Sequence, residues 1–209
     1  EMGTVYVPEA VSGRDGGVHY SYLPREAGRA FTFYGYRPSQ PLKGFLFSGR
    51  SKVAEYFAEE GAPTLPKPEP TVIVGAAACD IESVRSLDAI FLQEAFTDIF
   101  YRERRNTTFI VSADCTTPRG TCLCTRAGIG PYATAGFDLN LSNVGGGFIV
   151  EAGSDRGAAV MKRHAALFSV TSAAMTGERD AARGETVRAV EEINRDYRLT
   201  RGRGELLAA

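Results

Sequence analysis

The sequence has no excess of charge of either sign and no long hydrophobic run. Its 209 residues include 24 basic and 25 acidic side chains, which gives a net charge of -1. This balance argues against nucleic acid or an anionic membrane surface as a partner. No apolar stretch approaches the roughly 20 residues of a membrane-spanning helix, and the opening EMGTVYVPEA contains no apolar signal segment. We therefore expect a cytoplasmic protein without membrane insertion, and because residue 1 is Glu1 we expect further residues before it.

Histidine and cysteine are scarce, and the cysteines are confined to one part of the chain. The two histidines, His19 and His164, lie far from the cysteines in sequence, which favours a surface or core role for each. All four cysteines lie between Thr71 and Asp138. A chain of this length buries a core without disulfides, and a cytoplasmic compartment keeps thiols reduced. The clustering therefore favours a thiolate site for iron–sulfur or zinc.

Three short runs rich in β-branched and aromatic residues predict a β-rich lobe over residues 1–40. They are VYVPEAV, VHYSYL and AFTFYGY, separated by SGRDGG and PREAG. Residues 41–209 are predicted to form an α/β domain that makes one compact unit with this lobe. Its first part contains a short apolar run, LKGFLF, and a predicted helix over residues 51–60. The proline-rich PTLPKPEP that follows predicts an extended connector.

The pattern after residue 70 predicts a parallel sheet. Thr71–Gly75 and Thr107–Ala113 are predicted to be buried strands, and Asp80–Phe91 has the three- and four-residue spacing of a helix. Strand, helix and strand in this order predict a βαβ unit. Farther on, FDLNL and FIVEAG predict a hairpin around SNVGGG, and residues 155–168 and 186–197 are predicted helices. The predicted fold class is α/β, with a mainly parallel sheet, flanking helices and the small N-terminal β-rich lobe.

This topology gathers the cysteines. Cys79 follows the first predicted parallel strand and Cys115 follows the second, so both lie at the carboxyl ends of their strands. In a parallel sheet these ends share one edge, which is where such sheets place ligands. Cys122 and Cys124 lie on the loop that leaves the second strand and can fold back over the same edge. We therefore predict one site that contains all four thiols.

The cysteine spacing does not by itself identify the metal. The pattern C-x35-C-x6-C-x-C is neither a ferredoxin run nor a C-x2-C pair of a zinc ribbon. An iron–sulfur cluster, zinc and buried thiols without metal therefore all remain open at this point. The loop TTPRGTCLCTRAGIGP offers backbone N–H groups of the kind that hydrogen-bond cluster sulfurs. Its Arg119 and Arg126 are predicted to offset the negative charge of a thiolate site.

The Cys-x-Cys pair leaves two ligand sets open. Its two side chains point to opposite sides of a strand and converge on one centre only where the backbone turns. Either Cys122 and Cys124 both bind one centre, or only one of them does. In the second case Asp80 or Asp114 completes the ligand set.

No catalytic residue is predicted. Five aspartates, Asp80, Asp88, Asp98, Asp114 and Asp138, have the chemistry of acids and bases, but helix capping and solvated helix faces are the favoured interpretation. YRERRN is interpreted as a solvated face or a partner contact. The glycine-rich GIGP and GGG are interpreted as turns, because they lack the strand–GxGxxG–helix context. The missing phosphate-binding loop counts against a stand-alone enzyme with a nucleotide or flavin pocket.

Several motifs, in a fixed order, resemble a known family. The segments are PLKGFLF, GAAACDIESVRSLDAIFL and DIFYRERRNTTFIVSADCTTPRGTCLCTRAGIGPYATAGFDLNL, within about residues 41–157. They resemble the N-terminal region of the iron–sulfur, beta-type subunit of cytoplasmic nickel–iron hydrogenases, the sulfhydrogenases. They are also similar to the related A-type component of anaerobic sulfite reductase, among the 4Fe-4S dicluster-containing proteins.

The resemblance implies an electron-transfer subunit of a multi-subunit oxidoreductase. It implies one [4Fe-4S] cluster bound by Cys79, Cys115, Cys122 and Cys124, with Asp80 as a ligand or near one. The implied partners are a flavin-containing NAD(P)H subunit together with a catalytic subunit that bears nickel–iron or sirohaem. Family members continue into a ferredoxin-like module with two C-x2-C-x2-C-x3-C runs, which we expect in a trimmed region or a separate chain. The alternative is a structural or docking domain of such a complex, with zinc or no metal at the cysteines.

Overall fold

The computed structural model describes residues 3–14, 17–33, 35–47, 50 and 67–196. The strands within these residues are β1 Thr4–Ser12, β2 Val18–Pro24, β3 Thr71–Ala76, β4 Thr108–Ala113, β5 Leu139–Val144 and β6 Gly147–Ala152. They form one sheet in the order β2-β1-β3-β4-β5-β6. The central strands β1, β3, β4 and β5 are parallel, whereas β2 and β6 pair antiparallel at the two edges. The predicted α/β class with a mainly parallel sheet is confirmed.

Helices flank this sheet. They are α1 Lys43–Leu46, α2 Ala78–Phe91, α3 Ile99–Thr107, α4 Asp155–Arg163 and α5 Ala173–Ile193, with short 3-10 turns at Glu94–Phe96 and Ala165–Leu167. Asp98 begins α3, because its carboxylate accepts hydrogen bonds from the backbone N–H groups of Phe100 and Tyr101 at 2.9 and 3.0 Å. None of the described helices is long and apolar enough to cross a membrane.

The core lies between the central strands and the helices α1 to α3. Ile73 of β3 and Ile110 of β4 are each 1% exposed, and Val84 of α2 and Tyr101 of α3 pack in the same cluster. Full burial of one such aliphatic side chain contributes about 1.5–3 kcal/mol. Burial of Ile73 and Ile110 therefore holds β3 and β4 side by side, which matters for the site described below.

The N-terminal strands extend the main sheet. β1 pairs in parallel with β3, with Thr4 opposite Thr71, so the predicted β-rich lobe contributes an antiparallel pair to the edge of the α/β sheet. The domain boundary at residue 40 stays a prediction. The third predicted strand, AFTFYGY, is wrong, because its described residues form an irregular loop. Phe31 and Phe33 pack on each other at 4.9 Å between ring centroids, and Phe33 packs on Phe148 of β6. Tertiary packing of aromatic side chains, rather than strand pairing, accounts for this run.

The remaining elements follow the predictions in type but not always in extent. The βαβ unit and the β5–β6 hairpin are confirmed, and Gly146 in the hairpin turn has a φ of +87°. The predicted helix over residues 155–168 ends at Arg163, and the one predicted to begin at residue 186 begins at Ala173. α3 occupies YRERRN, and Tyr101 within it is 1% exposed, so this run is only in part a solvated face. The predicted helix over 51–60, half of the proline-rich connector and the tail after 196 lie outside the described residues.

The side chain of Asp138, just before β5, makes hydrogen bonds to β4 and to the start of α4. Its side chain is 5% exposed, and one carboxylate oxygen accepts a hydrogen bond from the backbone N–H of Ile110 at 2.9 Å. The hydroxyl of Ser154 donates to the same carboxylate at 2.6 Å, and the guanidinium of Arg156 pairs with it at 3.1 Å. The expectation of a cap or solvated position is therefore wrong for Asp138.

Replacing Asp138 by Ala should destabilise the protein by about 3 kcal/mol, because buried donors lose their acceptor. The matched control is Asp155→Ala in the exposed first turn of α4, where the expected loss is below about 1 kcal/mol. Urea unfolding of the two variants and the wild type measures both values. Equal losses would show that the buried network does not stabilise the strand.

Candidate metal centre

A glycine bulge near the end of β3 precedes the turn into the site. Gly75 has a φ of +84°, and the β3–β4 pairing shifts register between Val74 and Ala76. The backbone oxygen of Gly75 accepts hydrogen bonds from the hydroxyls of Tyr22, at 3.2 Å, and Tyr36. This bulge breaks the strand, and α2 then begins within three residues.

The first two cysteines lie at the carboxyl edge of the sheet. Cys79 lies in the first turn of α2, directly after β3, and Cys115 follows β4 by two residues. The backbone N–H of Cys115 donates to the carbonyl of Pro131 at 2.8 Å, which fixes the departing loop. Because Val74 lies opposite Val111 in the parallel pairing, both strands end at the same level.

The other two cysteines lie where the backbone turns. The N–H of Cys122 donates to the carbonyl of Arg119 at 2.8 Å, and the carbonyl of Cys124 accepts from the N–H of Ile129 at 2.9 Å. These turns reverse the chain on both sides of the pair, so a Cys-x-Cys segment can present both side chains to one centre.

The cysteine loop is attached to the end of α5. The side-chain amide of Asn194 donates to the carbonyl of Cys122 at 2.7 Å. The guanidinium of Arg126 in turn donates to the carbonyl of Asn194 at 2.7 Å. Asn194 is 2% exposed, so these hydrogen bonds are shielded from water.

All four cysteines line one pocket with a volume of about 70 Å³. Its wall also contains Tyr36, Arg37 and Arg119 from outside the strands, and the fully buried Val190 of α5. The backbone amides of the loop point at the sulfurs. The N–H of Arg119 donates to Cys122 Sγ at 3.2 Å, and the N–H groups of Thr117 and Thr125 hydrogen-bond Cys115 and Cys124. The predicted N–H donors of this loop are therefore present.

Burial favours the protonated form of three of these thiols in the absence of a bound cation. Burial and the neighbouring Asp80 raise the pKa of Cys79 to about 11, and burial also raises the pKa values of Cys115 and Cys124. The guanidinium of Arg37 acts in the opposite direction and donates to Cys122 Sγ at 3.4 Å. Burial lowers the pKa of Arg37, but its negatively charged neighbours Cys79, Cys122, Asp80 and Cys115 together raise it by more. Thiolates form here only where positive charge offsets the effect of burial, and Arg37 supplies part of that charge.

The predicted site residues outside the cysteines are divided between the pocket and its surroundings. Arg119 lines the pocket, whereas Asp80 lines an adjoining cleft. Arg126 fastens the loop to α5 and does not line the pocket. The carboxylate of Asp114 pairs with Arg183 of α5 at 2.7 Å, so it has a structural partner, and its contact with a cofactor stays a prediction.

Tyr36, Arg37 and Val190 line the pocket and were not predicted as site residues from the sequence. Arg37 precedes Cys79 by 42 positions and Val190 follows Cys124 by 66, and no spacing pattern links them to the cysteines. Arg37 is brought there by the irregular loop after β2. Two hydrogen bonds hold that loop in place. The hydroxyl of Tyr36 donates to the backbone oxygen of Gly75, and the backbone N–H of Gly35 donates to the hydroxyl of Thr116. Neither His19 nor His164 is among the described residues that line the cysteine pocket.

Comparison with known proteins relates part of the chain to a redox enzyme. No family model and no solved structure matches it. Over 86 residues the chain is 35% identical to subunit beta of sulfhydrogenase 2 from Pyrococcus furiosus. The chain is similar to a hydrogenase beta subunit in this region. The match covers 41% of the chain and 25% of that subunit, so the chain spans about a quarter of the length of this relative. The relationships to anaerobic sulfite reductase and to the 4Fe-4S dicluster proteins stay predictions.

The bulge at Gly75 should tolerate no side chain. A Cβ there would clash with the Tyr36 hydroxyl and lie 3.2 Å from Pro8 Cγ, whereas a Cβ at Gly146 meets nothing within 4 Å. Both glycines have positive φ, so backbone strain costs each Ala variant about 1–2 kcal/mol. We expect Gly75→Ala to lose at least about 2 kcal/mol more than Gly146→Ala, because only Gly75→Ala displaces packed atoms. Urea unfolding of the two variants measures the difference, and equal losses would contradict the packing argument.

Proposed function

We propose that this chain is an electron-transfer component of a multi-subunit redox enzyme of the hydrogenase or sulfite reductase type. Cys79, Cys115, Cys122 and Cys124 bind one [4Fe-4S] cluster. The observation that carries the proposal is that four thiols from separate segments line one pocket at the carboxyl edge of the sheet. The similarity to a sulfhydrogenase beta subunit supports the hydrogenase type.

The separation of the sulfurs distinguishes a cluster from a single zinc ion. Among the described residues, no group of three or more His, Cys, Asp and Glu side chains has the arrangement that holds a single metal ion. Four sulfurs at about 2.3 Å from one tetrahedral zinc lie only about 3.8 Å from each other. In a [4Fe-4S] cluster each cysteine binds a different iron, so the sulfurs stand farther apart around a larger centre. The backbone N–H of Arg119, which donates to Cys122 Sγ at 3.2 Å, supports a cluster, because such donors stabilise cluster sulfurs.

The residues of the pocket bind and stabilise, and they do not carry out bond chemistry. The described residues that line it include no carboxylate and no histidine, and Asp80 lines the adjoining cleft instead. A bound cluster supplies the transfer of single electrons. The loop amides and Arg37 stabilise the negative charge of the thiolates, and Val190 excludes water from the inner wall.

The proposed partners follow from the proposed role. The chain relays electrons between two partners in the cytoplasm, a flavin-containing NAD(P)H subunit on one side and a catalytic subunit on the other. A ferredoxin-like module belongs to the same assembly. The support is that the relative in Pyrococcus furiosus is a subunit of a sulfhydrogenase. The balanced charge of the chain agrees with a protein partner rather than nucleic acid.

Metal analysis of anaerobically purified protein tests this proposal. We expect about four irons and four sulfides per chain, with a broad absorption near ~400 nm that bleaches on reduction. Cys122→Ser should lose most of the iron and the colour, because serine replaces a soft ligand. Thr121→Ser, an exposed neighbour in the same loop, is the matched control and should retain both. About one zinc per chain without colour would instead indicate a structural domain.

Arg37 should raise the reduction potential of the centre. The variant Arg37→Gln removes the positive charge and the N–H···S contact, so the reduced centre is less stabilised. A loss of about 1.4 kcal/mol for one electron lowers the reduction potential by about 60 mV. Arg163→Gln at the end of α4 removes the same charge far from the pocket and should leave the potential unchanged. Redox titration followed by absorption measures both, and equal shifts would exclude a local effect of Arg37.

A further inference from the structure

A larger cleft adjoins the cysteine pocket on the side of β2. It has a volume of about 580 Å³, within the roughly 300–1,000 Å³ of small-molecule sites. His19 and Tyr20 of β2 form one wall, Asp80 in the first turn of α2 contributes another, and Arg37 and Arg119 line the cleft beside the cysteines. Four separate segments of the chain therefore contribute polar or aromatic groups to one open space.

The two guanidinium groups are the unusual feature of this cleft. Arg183 and Arg156, in contrast, are paired with the carboxylates of Asp114 and Asp138 at 2.7 and 3.1 Å. Neither Arg37 nor Arg119 makes a direct ion pair with a carboxylate of the described residues, although Arg37 and Asp80 attract each other electrostatically. Two guanidinium groups held in one cleft without such a partner match the paired oxygens of a phosphate or carboxylate, which arginine binds in a bidentate manner.

Asp80 and Tyr20 indicate that the ligand also has hydroxyl groups and a planar ring besides its anionic group. The carboxylate of Asp80 makes no ion pair among the described residues and can accept hydrogen bonds from ligand hydroxyls. The ring of Tyr20, whose centroid lies 6.0 Å from that of Tyr36, offers a flat aromatic surface. A phosphate, a sugar with hydroxyls and a planar base complement these three features.

We propose that this cleft binds a phosphorylated ligand of nucleotide size, with its phosphate on Arg37 and Arg119. The sugar hydroxyls face Asp80, and the base lies against Tyr20 and His19. This binding does not depend on the metal at the cysteines. It joins the two sites nonetheless, because Arg37 and Arg119 line both the cleft and the cysteine pocket.

Calorimetric titration of the purified full chain with AMP tests whether the cleft binds such a ligand. Inorganic phosphate and adenosine, the two halves of AMP, are titrated separately for comparison. We expect AMP to bind more tightly than either half. Arg119→Gln should weaken AMP at least about tenfold, because a charge-assisted hydrogen bond is lost. His19→Ala should weaken AMP without changing the iron content, because His19 lines the cleft and not the cysteine pocket. Arg119→Gln keeps the backbone N–H that donates to Cys122.

The matched control for charge is Arg163→Gln, which should bind AMP like the wild type. Arg163 ends α4, which packs on β6 at the opposite edge of the sheet from β2. Absence of AMP binding, or an equal loss in Arg163→Gln, would overturn the proposal. Phosphate binding as tightly as AMP would overturn the nucleotide size, and adenosine binding as tightly would overturn the role of the guanidinium groups. Because iron is measured in the same samples, a failed cleft is distinguishable from a failed metal centre.

Discussion

The parallel pairing of β3 with β4 is the constraint on which the cysteine pocket depends. It brings together Cys79 and Cys115, which are 36 positions apart in sequence, because the strands that precede them end at one edge. Burial of Ile73 and Ile110 on the two strands fixes this pairing, since a slip of either strand by one residue would turn its isoleucine to the other face. The same core that stabilises the fold thus sets the separation of the first two thiols.

Part of the positive charge at this edge comes from outside the cysteine loop. Three of the cysteines have raised pKa values because they are buried, and burial alone opposes the binding of a cation. Arg37 arrives on the loop after β2, which also packs against β6 through Phe33. The N-terminal segment therefore does more than cover the sheet, because it supplies the positive charge that faces the sulfurs.

Much of the architecture could be predicted from the sequence, since the buried strands and α2 have clear local patterns. The gathering of the cysteines follows from topology alone. Arg37 and Val190 could not be found, because their positions depend on a loop and a helix whose contacts are far apart in sequence. The predicted start of α5 lies 13 residues too late, because Gly177 and Gly184 weaken its local helical signal. The prediction for Asp138 is wrong because its partners come from two other segments, β4 and the start of α4.

α5 makes the cysteine loop part of a cooperative unit. Arg183, near the middle of this helix, is paired with Asp114 beside the cysteine pocket, and Asn194 at its end holds the carbonyl of Cys122. The loop can leave the sheet only if these contacts break together, so its opening is a partial unfolding of the protein rather than a motion of the loop alone. The rate at which a chelator or oxidant reaches the thiols is therefore governed by the stability of a helix whose first residue lies 49 positions after Cys124.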